Sequence, residues 1–209
     1  MKLSKEAALP SNVSPRTKPA DVRRREILTA AEAVVREKGV AGFSVSDITQ
    51  RAAIAKGSFY LHFASKDAVV AALRERFVED ILSEVAARVD TCAPDDWDGR
   101  LDTWVRHGLA LCLSPRNLAL NELLFHGGGA PGLREDLTSH GRGVAYLRDL
   151  IARGATAGAW LAADPEFVAV FLYSALHGVL DHAAASGEHD PEQVASALIH
   201  LCRRVLKPD

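Results

Sequence analysis

The chain has 209 residues, 48% of them hydrophobic and 25% charged, which is enough for a small head and a larger body, each with its own core. No run approaches the roughly 18 unbroken apolar residues of a membrane span, and the N-terminus lacks the charged-then-apolar order of a secretory signal, so a cytoplasmic location without membrane contact is expected. The net charge of −2 hides an asymmetry: through Lys66 there are 12 Lys and Arg against 6 Asp and Glu, and beyond it 13 against 21, a basic head on an acidic body that concentrates attraction for phosphate at one end.

Residues 1–20 carry Pro10, Pro15 and Pro19 among scattered Ser and Lys, with no apolar period. They read as a flexible arm, either brushing a DNA backbone or serving as a solvated tail without a role. A first helix is predicted over 21–38, stopped by Gly39, with Ile27, Ala31, Val34 and Val35 turned toward its neighbours. Ser44 then offers a cap, and Asp47 places a negative charge in the first turn of a second helix whose narrow stripe is Val45, Ile48 and Ala52. A third segment follows over 56–63, anchored by Ile54, Phe59 and Phe63. On a helical wheel Gly57 and Leu61 fall opposite Phe59, flanked by Ser58 and Tyr60.

That outward face suits a nucleic-acid groove. Ser58, Tyr60 and His62 offer hydrogen bonds to phosphates or base edges, Leu61 can meet a thymine methyl, and Gly57 lets the backbone come close. Lys56 stands at a helix N-terminus, where a cation is unfavourable by about 0.3–1 kcal/mol unless an anion lies nearby. Lys66 and the run Arg23, Arg24, Arg25 add cations for phosphate neutralisation.

The sequence Lys56-Gly57-Ser58-Phe59-Tyr60-Leu61-His62-Phe63-Ala64-Ser65-Lys66 strongly resembles the end of the DNA-binding head of the TetR family of bacterial transcriptional regulators, and the likeness covers roughly the first third of the chain. The resemblance implies a helix-turn-helix and base or phosphate contacts from Ser46, Lys56, Gly57, Ser58, Tyr60, Leu61, His62 and Lys66. It also sets two departures in relief. The family commonly has Gly where this chain has Ala53 and Ser where it has Ala55, so a strained turn and the loss of a side-chain cap worth about 1 kcal/mol are expected. Apart from the resemblance, the same residues would also fit a small three-helix knot in some other all-helical protein.

A fourth helix should start at Ser65, carry Leu73, Phe77, Ile81, Val85 and Val89 on one stripe, and link head to body as a single rod. Further helices are predicted over 96–113, 115–126, 133–154, 165–186 and 191–206, with no competing strand signal, so the fold class is all-α. Three units follow: an arm over 1–20, a helix-turn-helix head over 21–66, and a ligand-binding and dimerisation body over 67–209. The stretch 167–180 is apolar nearly all round, and the last helix carries two adjacent apolar stripes, Val194, Leu198, Leu201, Val205 and Ala195, Ile199, Cys202, Leu206. Both want two neighbours, which predicts a homodimer through four helices, unless the same surfaces are monomer core.

Trp104, His107 and Leu111 share a helical face, and Phe125, Tyr146, Tyr173 and His177 are candidates to converge on it around a cavity for a small apolar or aromatic effector; ordinary core is the competing account. No catalytic constellation, cofactor or metal site is expected. Glu122 and His126 are four apart, but two ligands do not make a metal site. Gly127, Gly129 and Gly132 spell a dinucleotide pattern after a helical segment rather than a strand, with Pro131 between them. Cys92, Cys112 and Cys202 are odd in number and far apart, which argues for reduced thiols. The expected function is a ligand-responsive repressor, held on an inverted-repeat DNA operator as a dimer and released by its effector. An effector-independent DNA-binding protein and an all-helical enzyme are the alternatives.

Overall fold

The computed structural model describes residues 19–126, 133–186 and 190–207, with side chains placed over 19–125, 141–183 and 190–207. Most of the proposed arm, the glycine pattern at 127–132 and the side chain of His126 lie outside the described residues. Every regular element among the described residues is helical.

α1 (Ala20–Gly42) leaves helical space where its expected stop stands, since Gly39 takes φ 69° and ψ 168°. The chain re-enters α2 (Val45–Arg51) through a capping box. The Ser44 hydroxyl accepts from the Asp47 N–H, and the Asp47 carboxylate accepts from the Ser44 N–H at 2.7 Å. Lys38 Nζ donates to the same carboxylate at 2.5 Å, tying the end of α1 to the start of α2. The hydrogen bonds from Lys38 and Ser44 hold the Asp47 carboxyl down at about 2.

After α2 the chain reverses at Ala53, whose φ of 51° is the left-handed conformation that glycine adopts without penalty. α3 (Lys56–Tyr60) then begins at Ala55 with no side-chain cap. α3 is shorter than the expected 56–63: residues 61 and 62 form a turn, and that turn still returns Phe63 to the core. Ile27, Ala31, Val34, Val35, Ile48, Phe59 and Phe63 close the head's interior, as the apolar spacings predict.

That interior does not end at Lys66. α4 (Lys66–Val89), capped by Ser65 at the Ala68 N–H, adds Val69, Val70, Ala72 and Leu73. Leu120 and Leu124 join from a short helix far along the chain, α6 (Pro115–Asn121), which a π-helical turn extends over Glu122–His126. The second core lies among α4, α5 (Trp97–Cys112), α7 (Leu133–Thr156), α8 (Pro165–Ser186) and α9 (Pro191–Leu206). Val85, Leu101, Trp104, Leu147, Ile151, Leu172, Leu198 and Cys202 are among its members.

α7 runs two residues past the expected stop at Gly154. This glycine is a notch rather than a terminator: a Cβ there would fall 2.2 Å from Cε3 of Trp160, whose indole lies in the space. Gly158, with φ 75°, is the residue that turns the chain. Trp160 also donates from Nε1 to Asp98 at 3.2 Å, joining the loop after α7 to α5. No described helix is long and apolar enough to cross a membrane.

Candidate nucleic-acid interface and body cavity

The head presents α3 outward because Phe59 and Phe63 face inward. Both are buried and their rings lie 5.9 Å apart, while Tyr60 is 50% and Leu61 84% exposed. An apolar side chain that open to water has no role in the core of this chain. Tyr60 is held by an edge contact, its ring 5.3 Å from Phe59 and perpendicular to it. Lys56, Gly57 and Ser46 are exposed, and Ser58 and His62 are half-buried on the flanks of the same surface. A Cβ built on Gly57 would meet nothing within 4 Å, so nothing inside the chain requires glycine there.

The flanking cations divide. Lys66 Nζ lies 4.4 Å from the Phe43 ring centroid and donates to the Ala41 carbonyl at 3.3 Å, so it pins the start of α4 to the α1–α2 link. Arg24 lies over Phe63 at 4.6 Å, beside α3. Arg23 and Arg25 pair within α1 with Glu26 and Asp21. The basic end is thus partly organised by internal contacts, a feature that a count of charges does not reveal.

Of the seven candidates in the body, Trp104, Phe125, Tyr173 and His177 line one cavity of about 320 Å³ between α4, α5, α6 and α8. The Tyr173 and His177 rings are in contact, their centroids 4.5 Å apart and their planes tilted by 48°. His107, Leu111 and Tyr146 do not line it. On α5 the cavity takes the flank of Trp104, Gly108 and Cys112, a spacing of four; His107 and Leu111, at spacings of three and seven, rotate the other way. His107 faces Glu84 of α4 at 3.7 Å, and Leu111 belongs to a second cleft, at the junction of head and body. Tyr146 packs against the body core at the far end of α4, near Asp90 and Arg100.

Burial pushes the Tyr173 phenol up to about 12 and the Cys112 thiol up to about 11, so both stay neutral in the cavity at physiological pH. Sequence reading did not single out Gly143. A Cβ there would fall 2.1 Å from Cζ of Tyr173, so the glycine makes room for the phenol. Its signal is absent from a single sequence, because the ring it accommodates is thirty residues away.

α6 touches both regions. Leu120 and Leu124 belong to the head's core, while Leu118, Asn121 and Phe125 line the cavity. The π turn widens the helix so that both sets are reached within one short segment. Arg74 of α4 donates from Nε to the Leu124 carbonyl at 2.8 Å and lies 5.6 Å from the Phe125 ring. Glu32 of α1 forms ion pairs with Arg36 of its own helix, Arg76 of α4 and Arg116 of α6.

Residues 27–73 match the family described as bacterial regulatory proteins, tetR family. Residues 27–73 are thus a TetR-family head. The HTH-type transcriptional regulator YvdT of Bacillus subtilis is 41% identical over 64 residues, 31% of this chain and 33% of that protein. The HTH-type transcriptional repressor KstR2 of Mycobacterium tuberculosis is 38% identical over 71 residues, 34% of this chain and 36% of that protein. The TetR-family likeness in sequence therefore spans about a third of the length of these relatives. In structure, the SmeT–triclosan complex, from Stenotrophomonas maltophilia, shares the fold with a TM-score of 0.68–0.69 at 24% identity, covering 90% of this chain and 93% of that one in the liganded form.

Proposed function

We propose that this TetR-family chain is a ligand-responsive transcriptional repressor that binds an inverted-repeat operator as a homodimer and leaves it when a small effector enters the body cavity. The observation that carries the reading is the outer face of α3 and the turn after it, where Tyr60 and Leu61 are open to solvent while Phe59 and Phe63 are buried beneath them. Ser46, Lys56, Gly57, Ser58, Tyr60, Leu61, His62 and Lys66 are the proposed DNA contacts, divided between base edges and phosphates. KstR2 is a repressor and SmeT is known with triclosan, which supports the sign of control and a small-molecule effector.

The cavity offers an effector Trp104, Phe125, Tyr173 and His177, with Asn121 and Cys112 beside them. Entry would press on α4 and α6, the two helices that also build the head's core. A coupling of about 1–3 kcal/mol gives a 5- to 150-fold change in operator affinity. For the dimer, α8 leaves Phe167 70% and Phe171 52% exposed, and α9 leaves Leu201 59% exposed, an apolar surface that a second copy would cover. Residues 21–66 would act as the reading head and 67–209 as the sensing and pairing body.

Selection of bound duplexes from a random pool tests the reading. It should return an inverted repeat, and a screen for compounds that release the selected duplex should return ligands that need Trp104. Enrichment without any two-fold pattern, or binding that no compound relieves, would count against it.

A further inference from the structure

We infer that the body cavity is built for an organic cation, an amine or quaternary ammonium on a small aromatic or aliphatic frame; this rests on the proposed role of the cavity as the effector site. Among the described residues its lining holds one charged side chain, Asp181, and neither lysine nor arginine. Phe77, Trp104, Phe125 and Tyr173 supply the aromatic walls. Asp181 joins the lining from an exposed position on α8 and has no ion pair among the described residues.

Three classes of ligand fare differently in that setting. An anion would give up its water for a wall that provides no described cation and one repelling carboxylate, so its charge would go uncompensated. A neutral apolar molecule would gain from burial alone, leaving Asp181 unused. A cation gains burial as well, the negative faces of the aromatic rings, and the Asp181 carboxylate. Because burial keeps the Tyr173 phenol and the Cys112 thiol protonated, neither adds charge of its own, and the carboxylate on α8 sets the sign of the site. His177, four residues before Asp181, stands against Tyr173 and fixes that side of the wall.

Calorimetric titration of the full chain with three probes of similar size tests this: benzyltrimethylammonium, the neutral 2-methyl-1-phenyl-2-propanol, and 3-phenylpropanoate. The cation should bind about ten-fold tighter than the neutral probe and tighter still than the carboxylate. Asp181→Asn should erase most of that preference while leaving the neutral probe's affinity unchanged. Trp104→Leu should weaken the cation more than the alcohol. Equal or tighter binding of the neutral or anionic probe, in a cavity that Trp104→Leu perturbs, would overturn the charge preference and leave the effector reading standing. Failure of all three probes to bind at millimolar concentration would overturn both.

Discussion

Gly57 separates what the fold needs from what an operator would need. Glycine inside an exposed helix is unfavourable by about 0.8–1 kcal/mol relative to alanine, and here a methyl group would meet only open space. Gly57→Ala should therefore raise the melting temperature while weakening operator binding by an order of magnitude; a variant that keeps full affinity would remove close backbone approach from the account. The two alanines that replace the family's usual residues act in the opposite direction, on stability. Ala53 holds a left-handed conformation and Ala55 offers no oxygen to the first turn of α3, both as anticipated from the two substitutions. Asp47 gives the head an acid-labile joint. Its folded carboxyl is depressed to about 2 from 3.8, so its contribution is complete above about pH 4 and disappears as pH falls through 2. The native chain should lose thermal stability between pH 4 and pH 2 when followed by circular dichroism, and Asp47→Asn should flatten that loss; an unchanged pH profile would detach the carboxylate from the head's stability.

At the level of helices, boundaries were legible wherever a cap or glycine acts locally, as at Gly39, Ser44 and Ser65. They were not legible where a distant ring decides. Gly154 looks like a stop in sequence but is a seat for Trp160, and Gly143 carries no signal until Tyr173 is beside it. The rod expected to connect head and body, α4, is present, and α6 joins it. A seven-residue helix with a π turn has too short an apolar pattern to reveal that its two faces serve different cores. Arg74 is the residue that fastens this arrangement, because a π turn leaves carbonyls without their usual partners and its guanidinium reaches one of them. Arg74→Ala should lower stability by about 1–3 kcal/mol and reduce the effector-induced change in operator affinity by a larger factor than it changes effector binding. Coupling that survives intact in titrations of this variant would shift the route of communication to α4 alone.

For the whole molecule, the proposed function joins the charge division and the exposed apolar face in one design, in which a basic end would meet phosphate and an acidic body would pair with its copy. The α9 stripes sort themselves once the fold is known: Ala195, Ile199, Cys202 and Leu206 face the chain's own core, whereas Leu201 of the adjacent stripe is left outside and Leu198 is shared inward. A single sequence shows only that the face is wide, because which stripe is covered depends on α5 and α8 rather than on α9. Phe171→Glu with Leu201→Glu should sediment as a single chain with native helicity and lose cooperative operator binding, while native-size particles would move the pairing surface elsewhere. The central claim, that α3 reads the groove, is met most directly by measuring the affinity of Lys56→Ala/Tyr60→Ala for the selected operator, with helicity and particle size checked alongside. The account predicts an intact dimer whose affinity has fallen roughly ten- to hundred-fold; undiminished affinity in a folded variant would contradict it.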